Sequence, residues 1–427
     1  MRTVRRSLST ESLGLLRQAR GFRLLLLATL ASSVGTWLAY VALVVDVFDR
    51  TRDATWVSAL LIAEFVPTIV LGVLAGRLID RVSRRSILIG ADLCRVAVFC
   101  LLPFAGGAAQ IVLLAFAAGI ATSLFRPAAY AGLPNLVSDR QLPRANGLLQ
   151  SADNLTWAIG SLAGGALIAV AGPGPAYFVN AASFAASALL IARIGDHLEE
   201  DERPPTRGRR ADLRAGFALA VSSRALVTVL VAWSIVMLAM ACVNVSEVVL
   251  AKEVFDAGDF GYGLLVSATG VGLVVGSLVA GGWLEQRGVR VPYALSIALM
   301  ALVFGIAAAA PNVWLAAVAV VLAGVGNGVA VVANAVLVQR GAPDHLRGRV
   351  FTIVMSAGYA VLGLGMVAAG FLTDLLGARA VWALAAGLLA AGAGAGWLLL
   401  RGVTFAPADE VEAEAVLAEP VRETSLT

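Results

Sequence analysis

The amino-acid sequence predicts an all-α membrane protein with twelve transmembrane helices in two pseudo-symmetric six-helix bundles. Three observations carry that expectation: apolar runs of membrane-crossing length, basic residues gathered at alternate connections, and a first-half pattern that returns in the second half.

Of the 427 residues, 59% are hydrophobic and 14% charged, with a mean hydropathy of +0.86. Soluble domains run at about 45–50% apolar and 25% charged. A larger core does not explain the excess, because it comes in runs of about 20 residues, the length a helix needs to cross roughly 30 Å of hydrocarbon. The runs lie near 22–48, 55–78, 87–104, 110–125, 145–171 and 177–194. After a polar interval they resume near 225–250, 261–284, 291–310, 312–338, 350–372 and 380–400.

An even number of spans puts both termini on one side. Among the 32 Lys and Arg, only Arg50, Arg52, Lys252 and Arg379 fall in connections on the other side, and Arg95 lies within a span. Short cytoplasmic loops collect Lys and Arg, so both termini and the central linker are expected in the cytoplasm. The net charge of +4 is therefore a topology signal and not a phosphate-tracking patch, which argues against nucleic acid as a partner. The first run is too long for a signal-peptide core and is expected to be retained. Preference for Arg over Lys fits a high-GC bacterium, so the bacterial cytoplasmic membrane is the expected location.

Other chemistry is thinly represented. Cys94, Cys100 and Cys242 fall within spans, where thiols behave as small hydrophobes. His197 and His345 have no partner at a ligand spacing, so no metal is expected. The glycine-rich stretches Gly270 to Gly276 and Gly324 to Gly328 lie inside apolar runs without a G-K-[ST] sequence; close helix packing is expected there, and no nucleotide or other cofactor. No clustered nucleophile or pair of catalytic carboxylates shares a span, so the chain is not expected to be an enzyme.

The internal echo sets the domain plan. Gly76, Asp80 and Arg85 after the second run return as Gly281, Glu285 and Arg290 after the eighth, at an offset of 205 residues. Asp139 and Asp344 repeat that offset. The expected units are a cytoplasmic segment 1–21, a six-helix bundle 22–194, a linker 195–223, a second bundle 224–400 and an acidic, disordered tail 401–427. The linker holds an acidic run followed by Pro204, Pro205 and several arginines, a composition that cannot bury a core.

At this point the chain resembles the major facilitator superfamily, over essentially its whole length. The stretch from Gly76 to Arg85 is similar to that family's G-x-x-x-D-R-x-G-R-R signature, with Ser83 in place of the second glycine. Gly160, Gly164 and Gly165 resemble the fifth-helix G-P-x-x-G-G signature of exporters, with Ser161 in place of proline. Phrases around Pro134, Asn146 and Arg347 resemble the branch of bacterial macrolide, multidrug and siderophore exporters. The resemblance implies proton-coupled efflux of amphipathic small molecules by alternating access, from a monomer among membrane lipids. The rival is a non-transporting receptor, or a lipid scramblase or flippase, on the same fold. One departure concerns coupling: the R-x-x-Q-G often found in the fourth helix of drug and proton antiporters is absent around Gly119.

Individual residues are weighed by what the membrane makes them cost. Glu64 lies deep in the second run, where a carboxylate costs several kcal/mol unless paired, protonated or facing water, so it is a candidate for proton coupling. Asp153 is the second candidate, close to Asn154 and Trp157. Trp37, Tyr40, Asn180, Asn244, Asn327 and Asn334 complete the candidate substrate cavity, although each alone is more often helix-to-helix glue. Gly76, Asp80, Arg81, Arg84 and Arg85 are the candidate conformational switch. Asp80 can face a helix N-terminus while the arginines pair with acids or anionic lipid. Asp92 and Arg95, three apart, read as a structural pair. Asp46 and Glu247 read as ordinary charges at the membrane surface.

Overall fold

The computed structural model describes residues 15–79, 82–138, 141–194, 217–342 and 344–403, and every regular element among them is helical. The first half folds as α1 (Arg20–Thr51), α2 (Ala54–Ile79), α3 (Arg84–Leu101), α4 (Ala108–Gly132), α5 (Leu142–Ala171) and α6 (Pro173–Ala192). The second half folds as α7 (Arg224–Val254), α8 (Gly258–Arg287), α9 (Arg290–Ala309), α10 (Val313–Gly341), α11 (Asp344–Leu376) and α12 (Ala378–Leu399). Eleven are long and apolar enough to cross a membrane. The twelfth, α2, is apolar over Ala54–Pro67, the stretch whose side chains are described.

Local sequence sets the helix ends. Gly172, at φ +74°, stops α5, and Pro173 opens α6 at the next residue with its fixed φ and missing N–H. Asn312 caps α10 by accepting from the Leu315 N–H at 3.0 Å. Two helices outrun their apolar stretches. Pro127 lies inside α4, which continues to Gly132 instead of ending near 125. Neighbouring helices restrain a membrane helix through a proline, so Arg126, read from the sequence as a loop residue, is helical. At the other site α11 begins at Asp344 and not near 350. In α7 the regular turns are interrupted by two wide ones, Val229–Trp233 and Leu250–Val254.

Packing repeats with a six-helix shift. In the first half α1 packs on α5 and α6, α2 on α4, and α3 on α4 and α6. In the second half α7 packs on α11 and α12, α8 on α10, and α9 on α10 and α12. The halves meet where α5 packs on α8 and α2 on α11, two contacts that the same shift exchanges. Small residues permit the closest seams. A Cβ on Gly324 would lie 2.8 Å from the Gly272 Cα, which is why the glycines of α8 and α10 face each other.

Two buried ion clusters tie the first half together. Asp46 is buried in α1, bonded to Arg50 at 2.6 Å and to the Tyr177 hydroxyl at 2.9 Å. It is no surface charge, because α1 extends to Thr51 and Tyr177 of α6 covers it. Asp92 and Arg95 are both buried and bonded to each other, the guanidinium lying over the Phe125 and Phe184 rings at 4.5 and 4.1 Å.

Because the helices alternate direction, α1 begins and α12 ends at one face of the bundle, the terminal end. Among the described residues, the close contacts between the halves run from the helix midpoints to the opposite end. The Ser267 hydroxyl of α8 donates to the Ala158 carbonyl of α5 at 2.8 Å. Nearer the opposite end a Cβ on Gly165 would lie 2.8 Å from the Gly263 Cα. Across the other seam, a Cβ on Gly370 would lie 2.9 Å from the Thr55 Cα. Tyr359 precedes Gly370 on α11 by about three turns and shares its face, yet it is 43% exposed. The halves have parted at that level, leaving a cleft open at the terminal end.

Candidate functional site

The cleft floor is built by residues of five helices, α1, α2, α5, α7 and α8. Gly160 lets α5 approach α1, since a Cβ there would lie 2.7 Å from the Val34 carbonyl and 2.9 Å from the Trp37 Cβ. Gly164 does the same beside Leu38. This approach stacks Trp37 on Trp157 at 4.7 Å and 6°, with Tyr40 edge-on to Trp37 at 5.5 Å. Tyr40 turns its hydroxyl toward Tyr262 of α8, within electrostatic reach of Glu64 of α2 and Glu247 of α7. Each half therefore contributes one tyrosine and one carboxylate. Glu247 is 5% exposed and its Oε1 has no hydrogen-bond partner. Among the described residues neither Glu64 nor Glu247 is in an ion pair.

Above this floor, on the terminal-end side, Arg126 of α4 binds Asp153 of α5 at 2.5 Å, and the Ser33 hydroxyl of α1 donates to the same carboxylate at 3.1 Å. The Arg126 side chain stays 58% exposed at this level. Asp153, the second proton-coupling candidate of the sequence, thus has two partners, because α4 carries Arg126 down beside it. Asn154 accepts from the Gln150 amide at 3.2 Å.

A polar seal closes the opposite end. Lys252 of α7, 9% exposed, bonds Asp49 of α1 at 2.6 Å and Asp259 of α8 at 2.5 Å. Asp374, in the last turn of α11, caps the start of α2. It accepts from the Ala54 N–H at 2.8 Å, the Thr55 N–H at 3.2 Å and the Thr55 hydroxyl at 2.8 Å.

The remaining candidates are dispersed. Asn180 is fully buried in the α1–α6 seam, where its Oδ1 accepts from Ser183 at 3.1 Å and its side chain packs on Gly35; it reaches no open space. Asn244 in α7 and Asn327 in α10 are half-buried, and Asn334 lines a separate cavity in the second half. Asp80 and Arg81 lie outside the described residues, and Gly76 lies in α2 beyond its described side chains. Arg85 donates to the Ala192 carbonyl at 2.8 Å, holding α3 to the end of α6 within one half.

Glu247, read from the sequence as an ordinary charge at the membrane surface, is buried, and neither Lys252 nor Asp374 was singled out as a site residue. The signal was faint: each sits within about three turns of a helix end, where a charge is ordinary. Only the extension of α7 through its second wide turn to Val254 puts Glu247 well inside the bundle.

Twelve helices in two repeats, meeting over a polar cleft, define a transporter of the major facilitator class. Within that class the chain belongs to the transmembrane secretion effector family, whose model matches residues 10–424. It is 27% identical to the multidrug efflux pump Tap of Mycobacterium tuberculosis over 379 residues, which cover 84% of this chain and 88% of that protein. It is 22% identical to macrolide efflux protein A of Streptococcus pyogenes over 371 residues, covering 84% of this chain and 90% of that one. A solved mutant form of the nucleoside transporter NupG superposes with a TM-score of 0.75 at 14% identity, covering 89% of this chain and 99% of that chain.

Proposed function

We propose that the protein exports amphipathic small molecules in exchange for protons by alternating access, with the terminal end in the cytoplasm. The observation that carries this reading is the pair Glu64 and Glu247, one from each half, without ion-pair partners at the floor of a cleft open at one end. Each carboxylate, held in low dielectric without a cation beside it among the described residues, is costly as an anion unless a proton or another cation neutralises it. Protons and a substrate cation therefore compete for the same place, the thermodynamic requirement for exchange.

The aromatic wall of Trp37, Trp157 and Tyr40 supplies apolar area and ring faces beside that charge, which suits molecules that are part cation and part hydrocarbon. The relatives' names, a multidrug and a macrolide efflux pump, point to the same substrate class. Asp153, already neutralised by Arg126, is the lesser coupling candidate. Orientation rests on the arginine asymmetry, by which the open cleft faces the cytoplasm, where an exporter loads. In the plasma membrane the rocking halves would exchange the opposite-end seal for one at the terminal end, with Gly76 to Arg85 as its expected site.

The test is accumulation of a fluorescent amphipathic cation in sealed inverted vesicles. An imposed pH gradient, acid inside, drives uptake if the reading holds. Uptake that ignores the gradient while vesicles stay tight refutes proton exchange.

A further inference from the structure

The second half holds a cavity that the exchange mechanism does not use. It measures about 210 Å³ and lies among α7, α10 and α11, lined by Trp233, Met237, Asn334, Phe351, Met355 and Tyr359 with small residues between them. Among the described residues no charged side chain lines it. Tyr359, 43% exposed, stands at its rim on the face of α11 that packs against α2 three turns later, the side on which the cleft lies. At Gly358 an added Cβ would make only ordinary contacts, 3.5 Å to Met237 Cγ and to Trp233 Cδ1. The glycine leaves space there; it does not serve a tight seam.

The wall chemistry is specific in one respect. Asn334 is 4% exposed, yet neither its Oδ1 nor its Nδ2 has a hydrogen-bond partner. Buried amides are nearly always bonded, so a ligand group that both donates and accepts would relieve a standing cost. Around it, methionines and aromatic rings form a soft, polarizable lining that adapts to different apolar shapes. An apolar cavity of about 150 Å³ takes benzene, and whole drug-sized sites run from about 300 Å³. The cavity thus suits two fused rings, a part of an amphiphile.

We propose that this cavity is a substrate subsite for an uncharged, ring-sized apolar group bearing one hydroxyl or amide, which Asn334 hydrogen-bonds while the rest of the molecule stays in the cleft. That its occupant is a transported substrate rests on the exporter reading; the binding itself does not.

The test is equilibrium binding to the purified full chain in lipid nanodiscs, read by quenching of tryptophan fluorescence, with empty nanodiscs subtracted. The probes are 1-naphthol and 1-methylnaphthalene, of nearly equal size, of which only the first carries a hydrogen-bonding group. Wild type is expected to bind 1-naphthol about tenfold more tightly. Asn334→Leu is expected to abolish that preference while keeping affinity for the hydrocarbon, and Gly358→Leu, which fills the space, to weaken both probes about tenfold or more. Equal affinities in wild type would assign the cavity to plain hydrocarbon, such as a lipid chain, and overturn the proposal. Unaltered binding of both probes to Gly358→Leu would overturn it too, whatever Asn334→Leu does. No gradient is imposed, so failure here leaves the vesicle experiment standing, and absence of pH-driven flux leaves the binding result standing.

Discussion

Asp374→Asn tests whether the opposite-end seal is held by a charge at a helix start. One carboxylate from the second half takes three hydrogen bonds from the first turn of α2 in the first half. Asparagine keeps one acceptor oxygen but loses the second, together with the charge. A negative charge at an exposed helix N-terminus contributes about 0.3–1 kcal/mol. A hydrogen bond to a charged group contributes about 1.5–3 kcal/mol, against about 0.5–1.5 for a neutral one. Asp374 is exposed, so the lower figures apply, and the substitution removes about 1–2 kcal/mol from the closed arrangement. At about 1.4 kcal/mol per factor of ten, the ratio of closed to open molecules falls by about 5- to 30-fold. Spin labels at Phe104 and Leu375, both well exposed near the opposite end, report the separation of the halves by electron double resonance. The long-distance population should grow, and the Ala54 and Thr55 amides should exchange faster with deuterium. An unchanged distance distribution together with unchanged exchange would refute the reasoning.

Glu64→Gln should bind substrate but release fewer protons than wild type when substrate is added in weak buffer, with uphill export lost and downhill exchange kept; equal proton release would remove Glu64 from coupling. Asp92→Ala should destabilise the fold by about 3–5 kcal/mol, because it leaves Arg95 buried without its anion. The thermal transition of the detergent-solubilised protein should drop by many degrees, and a drop of a degree or less contradicts that cost. A cysteine in place of exposed Arg401 should react with a membrane-impermeant maleimide only after lysis; labelling of intact cells would reverse the proposed orientation.

The helical scaffold was legible because the membrane imposes a length on every span, and a run of apolar residues records it directly. The terminus of α4 was not, since a charge followed by a proline marks a loop in most contexts. Here Asp153 neutralises Arg126 and the surrounding helices keep the chain helical past Pro127. Residues of the cleft floor were legible one at a time: Trp37, Tyr40, Trp157 and Glu64 stood out as polar or amphipathic groups in apolar surroundings. Their meeting was not, because it depends on the depth to which Gly160 and Gly164 let α5 settle against α1. Asn180 shows the opposite case, the same residue type in the same kind of run, turned into a seam. Glu247 and Lys252 were hidden because α7 runs on through its second wide turn to Val254, past the end of the apolar run, so that charges read as lying at the membrane surface sit inside the bundle.

The Lys252 clasp also gives the protein a built-in chemical reporter. It is the chain's only lysine, so apart from the α-amino group its ammonium is the sole primary amine. In the closed arrangement two aspartates hold it as a cation in a nearly covered position. An acylating reagent needs a free, uncharged amine, so it reads the seal without any engineered label. Mass spectrometry of the peptide bearing Lys252 would then count molecules that have opened, in native membranes and during turnover, one acyl group per opening caught.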